Sequence, residues 1–185
     1  MKVMRKVNLA VCALALAVSS TTAFAATNGT VTFNGLLQDD TCQIETGTEN
    51  VQVTLPTLAT SSLANPGDEQ GSKNFTISVV DCPAAVTKVS AHFNAINSDG
   101  VNATTGNLTN SATTGGATGA EVRLYNMDSS QIRVGDTGAA FEVTPGTGAD
   151  PKGTTTLSYA GGYYATKATT PGAVTAKVQY VLSYN

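Results

Sequence analysis

The chain has 185 residues, of which 41% are hydrophobic and 12% charged, with no tryptophan, one histidine and a formal net charge of −3. A thinly charged, weakly acidic surface is a poor match for phosphate backbones and argues against nucleic acid as a partner. One histidine and three cysteines also leave little material for proton transfer or metal binding.

Lys2, Arg5 and Lys6 form a basic start, residues 7–18 an apolar run broken by Asn8, and Ala23-Phe24-Ala25 a small-residue peptidase site. Residues 1–25 therefore read as an export signal, cleaved between Ala25 and Ala26. The run is shorter than the roughly 20 residues that span a bilayer, so it is not a permanent anchor. Taking 25 of 185 residues leaves 160, a size suited to one β domain. It removes three positive charges and no negative ones, which moves the net charge from −3 to −6. Cys12 leaves with the signal. Cys42 and Cys82, in an exported chain, pair most simply with each other. Zinc is the competing reading, disfavoured by a single histidine and the lack of a Cys-x-x-Cys pair.

The exported N-terminus alternates, with Thr27, Gly29, Val31, Phe33, Gly35 and Leu37 on one side and Asn28, Thr30, Thr32 and Asn34 on the other. Strands are predicted over 30–33 and 36–44. The first reads either as an ordinary opening strand or as a strand donated to a neighbouring molecule, and period alone does not choose.

Further short runs predict strands over 51–55, 75–80, 86–96, 121–127, 131–134, 139–143 and 155–164, separated by turn-rich clusters. Many short strands and no helical period predict an all-β sandwich in one domain. In the run 86–96, Val89, Ala91, Phe93 and Ala95 define the apolar face, so His92 points outward with Ser90 and Asn94 as a solvated or cross-strand histidine. Residues 97–119 are rich in Asn, Gly, Thr and Ser and read as a long surface connection containing a short strand, anchored by Val101 and Leu108.

Nothing along the chain assembles a catalytic motif: there is no GxSxG, HExxH, P-loop or GxGxxG. Asp39, Asp40, Asp68 and Glu69 sit beside turn residues and read as solvated carboxylates. Tyr163 and Tyr164 are adjacent, so at most one can face outward as a sugar-stacking platform.

Residues 172–185 carry the cleanest alternation, with Val174, Ala176, Val178, Tyr180, Leu182 and Tyr184 on one face. The other face holds Thr175, Lys177, Gln179, Val181 and Ser183. Such a strand needs cover on both edges, and what covers the second edge becomes the functional question.

Four stretches carry a resemblance: Gly29-Thr-Val-Thr-Phe-Asn-Gly35, the Cys42 to Cys82 spacing with Phe75-Thr-Ile-Ser-Val-Val-Asp-Cys82, Thr104-Thr-Gly-Asn-Leu-Thr-Asn110, and the ending from Tyr163 through Gly172 to Tyr184-Asn185. Together they resemble the major subunit, or pilin, of chaperone-usher fimbriae, in the type 1-like and F17-like branch. The resemblance implies an incomplete immunoglobulin-like sandwich, the pilin fold, lacking its last strand and completed by a donated one. It implies an N-terminal donor-strand extension at 26–37 and a pilin domain at 38–185. Gly29, Val31, Phe33 and Gly35 would be donor residues; Gly172, Val178, Tyr180, Leu182 and Tyr184 would form the acceptor groove and chaperone contact. The implied partners are identical subunits in a filament, a periplasmic chaperone, an outer-membrane usher and a tip adhesin, with no small-molecule cofactor and no enzymatic activity. The implied location is a fimbrium on a Gram-negative cell, reached through the periplasm. The alternatives are a carbohydrate-binding fimbrial adhesin, a minor adaptor subunit and a secreted β-sandwich enzyme.

Overall fold

The computed structural model describes residues 31–33, 41–96, 100–148 and 151–184. Met1–Leu37 and Gln38–Asn185 form separate units, and both sheets belong to the second. Its elements are β1 (Gln43–Ile44), a 3-10 turn (Thr60–Leu63), β2 (Glu69–Cys82), β3 (Lys88–Asn94), β4 (Leu108–Thr109), β5 (Ala120–Tyr125), β6 (Gln131–Ile132), β7 (Phe141–Glu142), β8 (Gly153–Ala165) and β9 (Gln179–Tyr184). One sheet has the order β1-β2-β8-β5-β4 with β6 alongside β5; the other has the order β7-β3-β9. Every named strand pairing is antiparallel.

The two inner faces meet in one core. The large sheet contributes Ile77, Val79, Leu157 and Tyr159, and the small one Val89, Ala91 and Phe93. Tyr159 is its centre: its ring stands edge-on to Phe93 at 5.2 Å and to Phe141 at 5.6 Å between centroids. The phenol accepts from the Ala91 amide at 3.0 Å and donates to the Ala139 carbonyl at 2.8 Å, so the one polar atom of this buried ring is satisfied by β3 and by the segment leading into β7. Position 138 must be glycine, because a Cβ there would lie 2.4 Å from the Tyr159 ring.

A bulge near the end of β2 explains how the cysteines meet. Ile77 and Val79 point inward, and strict alternation would turn Cys82 outward. The register slips between Val79 and Cys82, with Asp81 at φ 55°, and Cys82 turns in to form a disulfide with Cys42.

Several strands differ from expectation. The strand predicted over 36–44 is present only as Gln43–Ile44, residues 34–40 lying outside the described part. Residues 51–55 are in no strand and Val53 is exposed, whereas β2 begins six residues before the predicted 75. That extension, from Glu69 to Asn74, is polar and carries no period; its pairing with β8 makes it a strand. The connection after β3 contains β4, and Val101 bridges Leu108.

Glu69 is not the free turn carboxylate expected: it pairs with Arg123 and accepts from the Tyr125 phenol at 2.8 Å. Arg123 in turn lies 3.8 Å over the Tyr164 ring. Asp68 accepts from the Asn65 amide at 2.7 Å in its turn, and Asp39 and Asp40 lie outside the described residues.

Candidate strand-acceptor groove

The C-terminal strand presents its predicted apolar row to the core. Val174, Ala176, Val178, Tyr180, Leu182 and Tyr184 are each half-buried, while Thr175, Lys177, Gln179 and Val181 are exposed. The row from Ala176 to Tyr184 packs on the core together with Ile44 and Val51. None of these side chains reaches the burial of Phe93, which is 1% exposed on the neighbouring strand. Inward-facing apolar residues that stay half open mark a sandwich side without full cover among the described residues.

Backbone phase explains which side. On β3 and just before it, Thr87, Ala91 and Phe93 bond toward residues 135–143: Val143 N–H donates to the Thr87 carbonyl at 2.8 Å, Gly138 N–H to Ala91 at 2.9 Å, and Phe93 N–H to Asp136 at 3.0 Å. Residues alternate sides along a strand, so Ser90, His92 and Asn94 face β9, opposite Ser183, Val181 and Gln179. The amides and carbonyls of Tyr180, Leu182 and Tyr184 therefore point away from β3. Among the described residues no strand lies there. The even-numbered residues thus offer, at one edge, both apolar side chains and backbone groups without a partner among the described residues.

The opposite rim is the segment around β1. Tyr184 Oη donates to the Cys42 carbonyl at 3.3 Å, and Tyr180 Oη to the Glu49 carbonyl at 3.1 Å. Burial, reinforced by the Glu49 charge, pushes the Tyr180 phenol above its ordinary pKa. Cys42 is 5% exposed and Cys82 fully buried, so the disulfide fixes this rim from inside. Gly172 marks the beginning of the C-terminal segment: a Cβ there would lie 2.4 Å from the Ala117 nitrogen and 2.6 Å from the Gly115 carbonyl oxygen. Close backbone approach, which only glycine permits, sets its place.

Of the donor residues expected from the sequence, Val31 and Phe33 are 76% and 91% exposed, and residues 31–33 are in no strand. Gly29, Gly35 and the cleavage pair Ala25 and Ala26 lie outside the described residues. Ile44, Val51 and the carbonyls of Cys42 and Glu49 were not singled out by sequence. Backbone acceptors leave no trace in residue identity, and Val51 lay in a run whose period did not say which sheet it bordered.

Among the described residues no proton-transfer constellation accompanies the groove. His92 is half-buried, with Nδ1 2.9 Å from Thr137 Oγ1 across the sheet. Among the described residues no three His, Cys, Asp or Glu side chains converge where a metal could sit.

The family model described as fimbrial protein matches residues 26–185. The chain belongs to the fimbrial protein family. It is 38% identical over 172 residues to the F17 fimbrial protein of Escherichia coli, covering 91% of this chain and 94% of that one. It is 35% identical to the major fimbrial subunit SMF-1 of Stenotrophomonas maltophilia, covering 86% and 94%. Its fold is similar to that of a subunit in a solved chaperone-usher pilus, with a TM-score of 0.57 and 21% identity over 89% of this chain and 99% of that one. The sandwich is thus the immunoglobulin-like fold of pilins, and the chain is a fimbrial subunit of the chaperone-usher class, a structural and non-enzymatic protein of cell-surface pili.

Proposed function

We propose that this fimbrial subunit is the abundant building block of its filament and polymerises head to tail by donor-strand exchange. In each contact, residues 26–37 of one copy lie along the free edge of β9 in the next. Gly29, Val31, Phe33 and Gly35 face the groove, and Val178, Tyr180, Leu182 and Tyr184 receive them. The observation that carries this reading is the half-buried apolar row from Ala176 to Tyr184, on a strand whose outer backbone edge has no partner among the described residues.

An added strand would pair with that edge and cover that row at once. The donor and acceptor surfaces are different parts of the chain, so the contact is heterologous and propagates instead of closing a dimer. Export removes residues 1–25 and places the extension at the new N-terminus. In the periplasm a chaperone strand fills the same groove, and at the outer-membrane usher the extension of the incoming subunit replaces it. A tip adhesin begins the filament, which supports adhesion of a Gram-negative cell.

Electrophoresis of surface material sheared from native cells, with and without boiling in detergent, tests this. A ladder of subunit multiples that collapses to monomer only on strong heating is expected, with this chain as its main component. A soluble monomer under every condition would mean that the end strands pair within one chain, and a trace amount on the fibres would mean a minor adaptor.

A further inference from the structure

β9 proper spans only Gln179–Tyr184, yet the apolar alternation begins five residues earlier, at Val174. Between them the chain has no β3 beside it, because β3 ends at Asn94, opposite Gln179. Residues 110–117 take over. Ala173 N–H donates to the Gly115 carbonyl at 2.8 Å, and Ala117 N–H to the Ala173 carbonyl at 2.9 Å. The Thr175 carbonyl accepts from Ser111 N–H at 2.7 Å and from Ser111 Oγ at 2.9 Å.

The remaining positions are filled by one side chain. Asn110 Nδ2 donates to the Ala173 carbonyl at 2.8 Å and to the Ala117 carbonyl at 2.9 Å; its Oδ1 accepts from Thr175 N–H at 2.9 Å and from Ala112 N–H at 3.1 Å. A primary amide has two donors and two acceptor lone pairs, and all four are used. Toward Ala173 and Thr175 this side chain behaves as a strand residue would, accepting an N–H and donating to a carbonyl.

Ala173 and Thr175 share the odd phase of Gln179, Val181 and Ser183, the residues bonded to β3. We propose that Asn110 is a positioning residue that continues the ladder of β3 and thereby extends the acceptor edge upstream from β9 to Val174. With the odd side of residues 173–175 held by the 110–117 loop, Val174 and Ala176 present their backbone groups on the same open side as Tyr180 and Leu182. A donor strand then finds a straight edge from 174 to 184 instead of one confined to 179–184. This rests on the strand-acceptor reading of β9.

Amide hydrogen exchange on sheared filaments, compared with monomeric chain, tests it in Asn110→Ala and in the milder Asn110→Ser. In the unaltered filament, segments 173–178 and 179–184 both gain protection over the monomer. In the variants, exchange across 173–178 is expected to rise at least tenfold while 179–184 stays protected. Equal loss in both segments would show a general stability role, and no change would show that Asn110 is idle; either overturns the proposal. The Thr175 amide in monomeric chain gives a readout that needs no filament: it should exchange at least tenfold faster without Asn110, with Val181 unaffected, and an unchanged rate overturns the proposal. If 179–184 gains no protection in unaltered filaments, the strand-acceptor reading fails instead, and the Thr175 rate still decides whether Asn110 holds the strand.

Discussion

Tyr184 donates its phenol proton to the carbonyl of Cys42, 142 positions earlier in the chain, so the end of the final strand is bonded to a residue of the disulfide. The bond crosses from the small sheet to the edge of the large one. Its loss in Tyr184→Phe is expected to cost about 0.5–1.5 kcal/mol of unfolding free energy. Tyr184→Ala also removes a half-buried ring and should cost about 2 kcal/mol or more. Urea unfolding under oxidising conditions measures both, and equal losses would assign the whole effect to the hydrogen bond.

Phe33 offers the opposite case. Its side chain is 91% exposed, so Phe33→Asp should leave the unfolding free energy of the single chain within about 0.5 kcal/mol. The same change places a charge in an apolar groove when the strand is donated, and assembly should stop. The expected result is a normally folded subunit and no detergent-resistant ladder. Normal fibres from this variant would remove Phe33 from the donor face.

Gly172→Ala puts a methyl group 2.4 Å from the Ala117 nitrogen. Both partners of the clash are backbone, so relief requires residues 115–117 or the start of the C-terminal segment to move. A cost of about 1–3 kcal/mol is expected, the ordinary scale of overpacking. In circular dichroism melts of the oxidised chain, the variant should lose several degrees; an unchanged midpoint would mean the two segments separate freely.

Alkaline stability should depend on Tyr125. Burial first, then the hydrogen bond to Glu69, raises its phenol pKa above the ordinary 10.0. The folded chain therefore keeps this proton at pH values where the unfolded chain has lost it. Stability is full below about pH 10 and falls as pH rises toward the folded-state value, by about 1.4 kcal/mol per pH unit for one proton. Tyr125→Phe should flatten the curve by that slope, read from urea midpoints between about pH 10.5 and 12. An unchanged slope would mean the phenol is free to ionise in the folded chain.

Local chemistry made part of this molecule legible. The row from Val174 to Tyr184 is a two-residue period, written into neighbouring positions, and it reads correctly whatever lies opposite. The inward face of β3, with Val89, Ala91 and Phe93, was visible for the same reason. The polar opening of β2 was not, because Glu69 to Asn74 become a strand only through β8. Glu69 looked like a solvated turn carboxylate, yet it meets Arg123 on the outer face of the large sheet over a separation of 54 residues. Asn110 was hidden most completely. It sits in a stretch of Asn, Gly, Thr and Ser where any residue reads as loop, and its role exists only against residues 63 and 65 positions away.

The shared phase of the two ladders on the C-terminal strand has a consequence for how this region can change over time. The 110–117 loop holds Ala173 and Thr175, β3 holds Gln179, Val181 and Ser183, and every held residue is odd-numbered. Side-chain replacements between 176 and 178 leave that count untouched. Inserting or deleting one residue there does not: one end would have to turn its apolar side chains to solvent and its free backbone groups back toward a partner already bonded, or the extra residue would have to be expelled as a bulge. Tolerance of this segment should therefore be generous to spelling and strict on length, with two-residue changes better accepted than single ones.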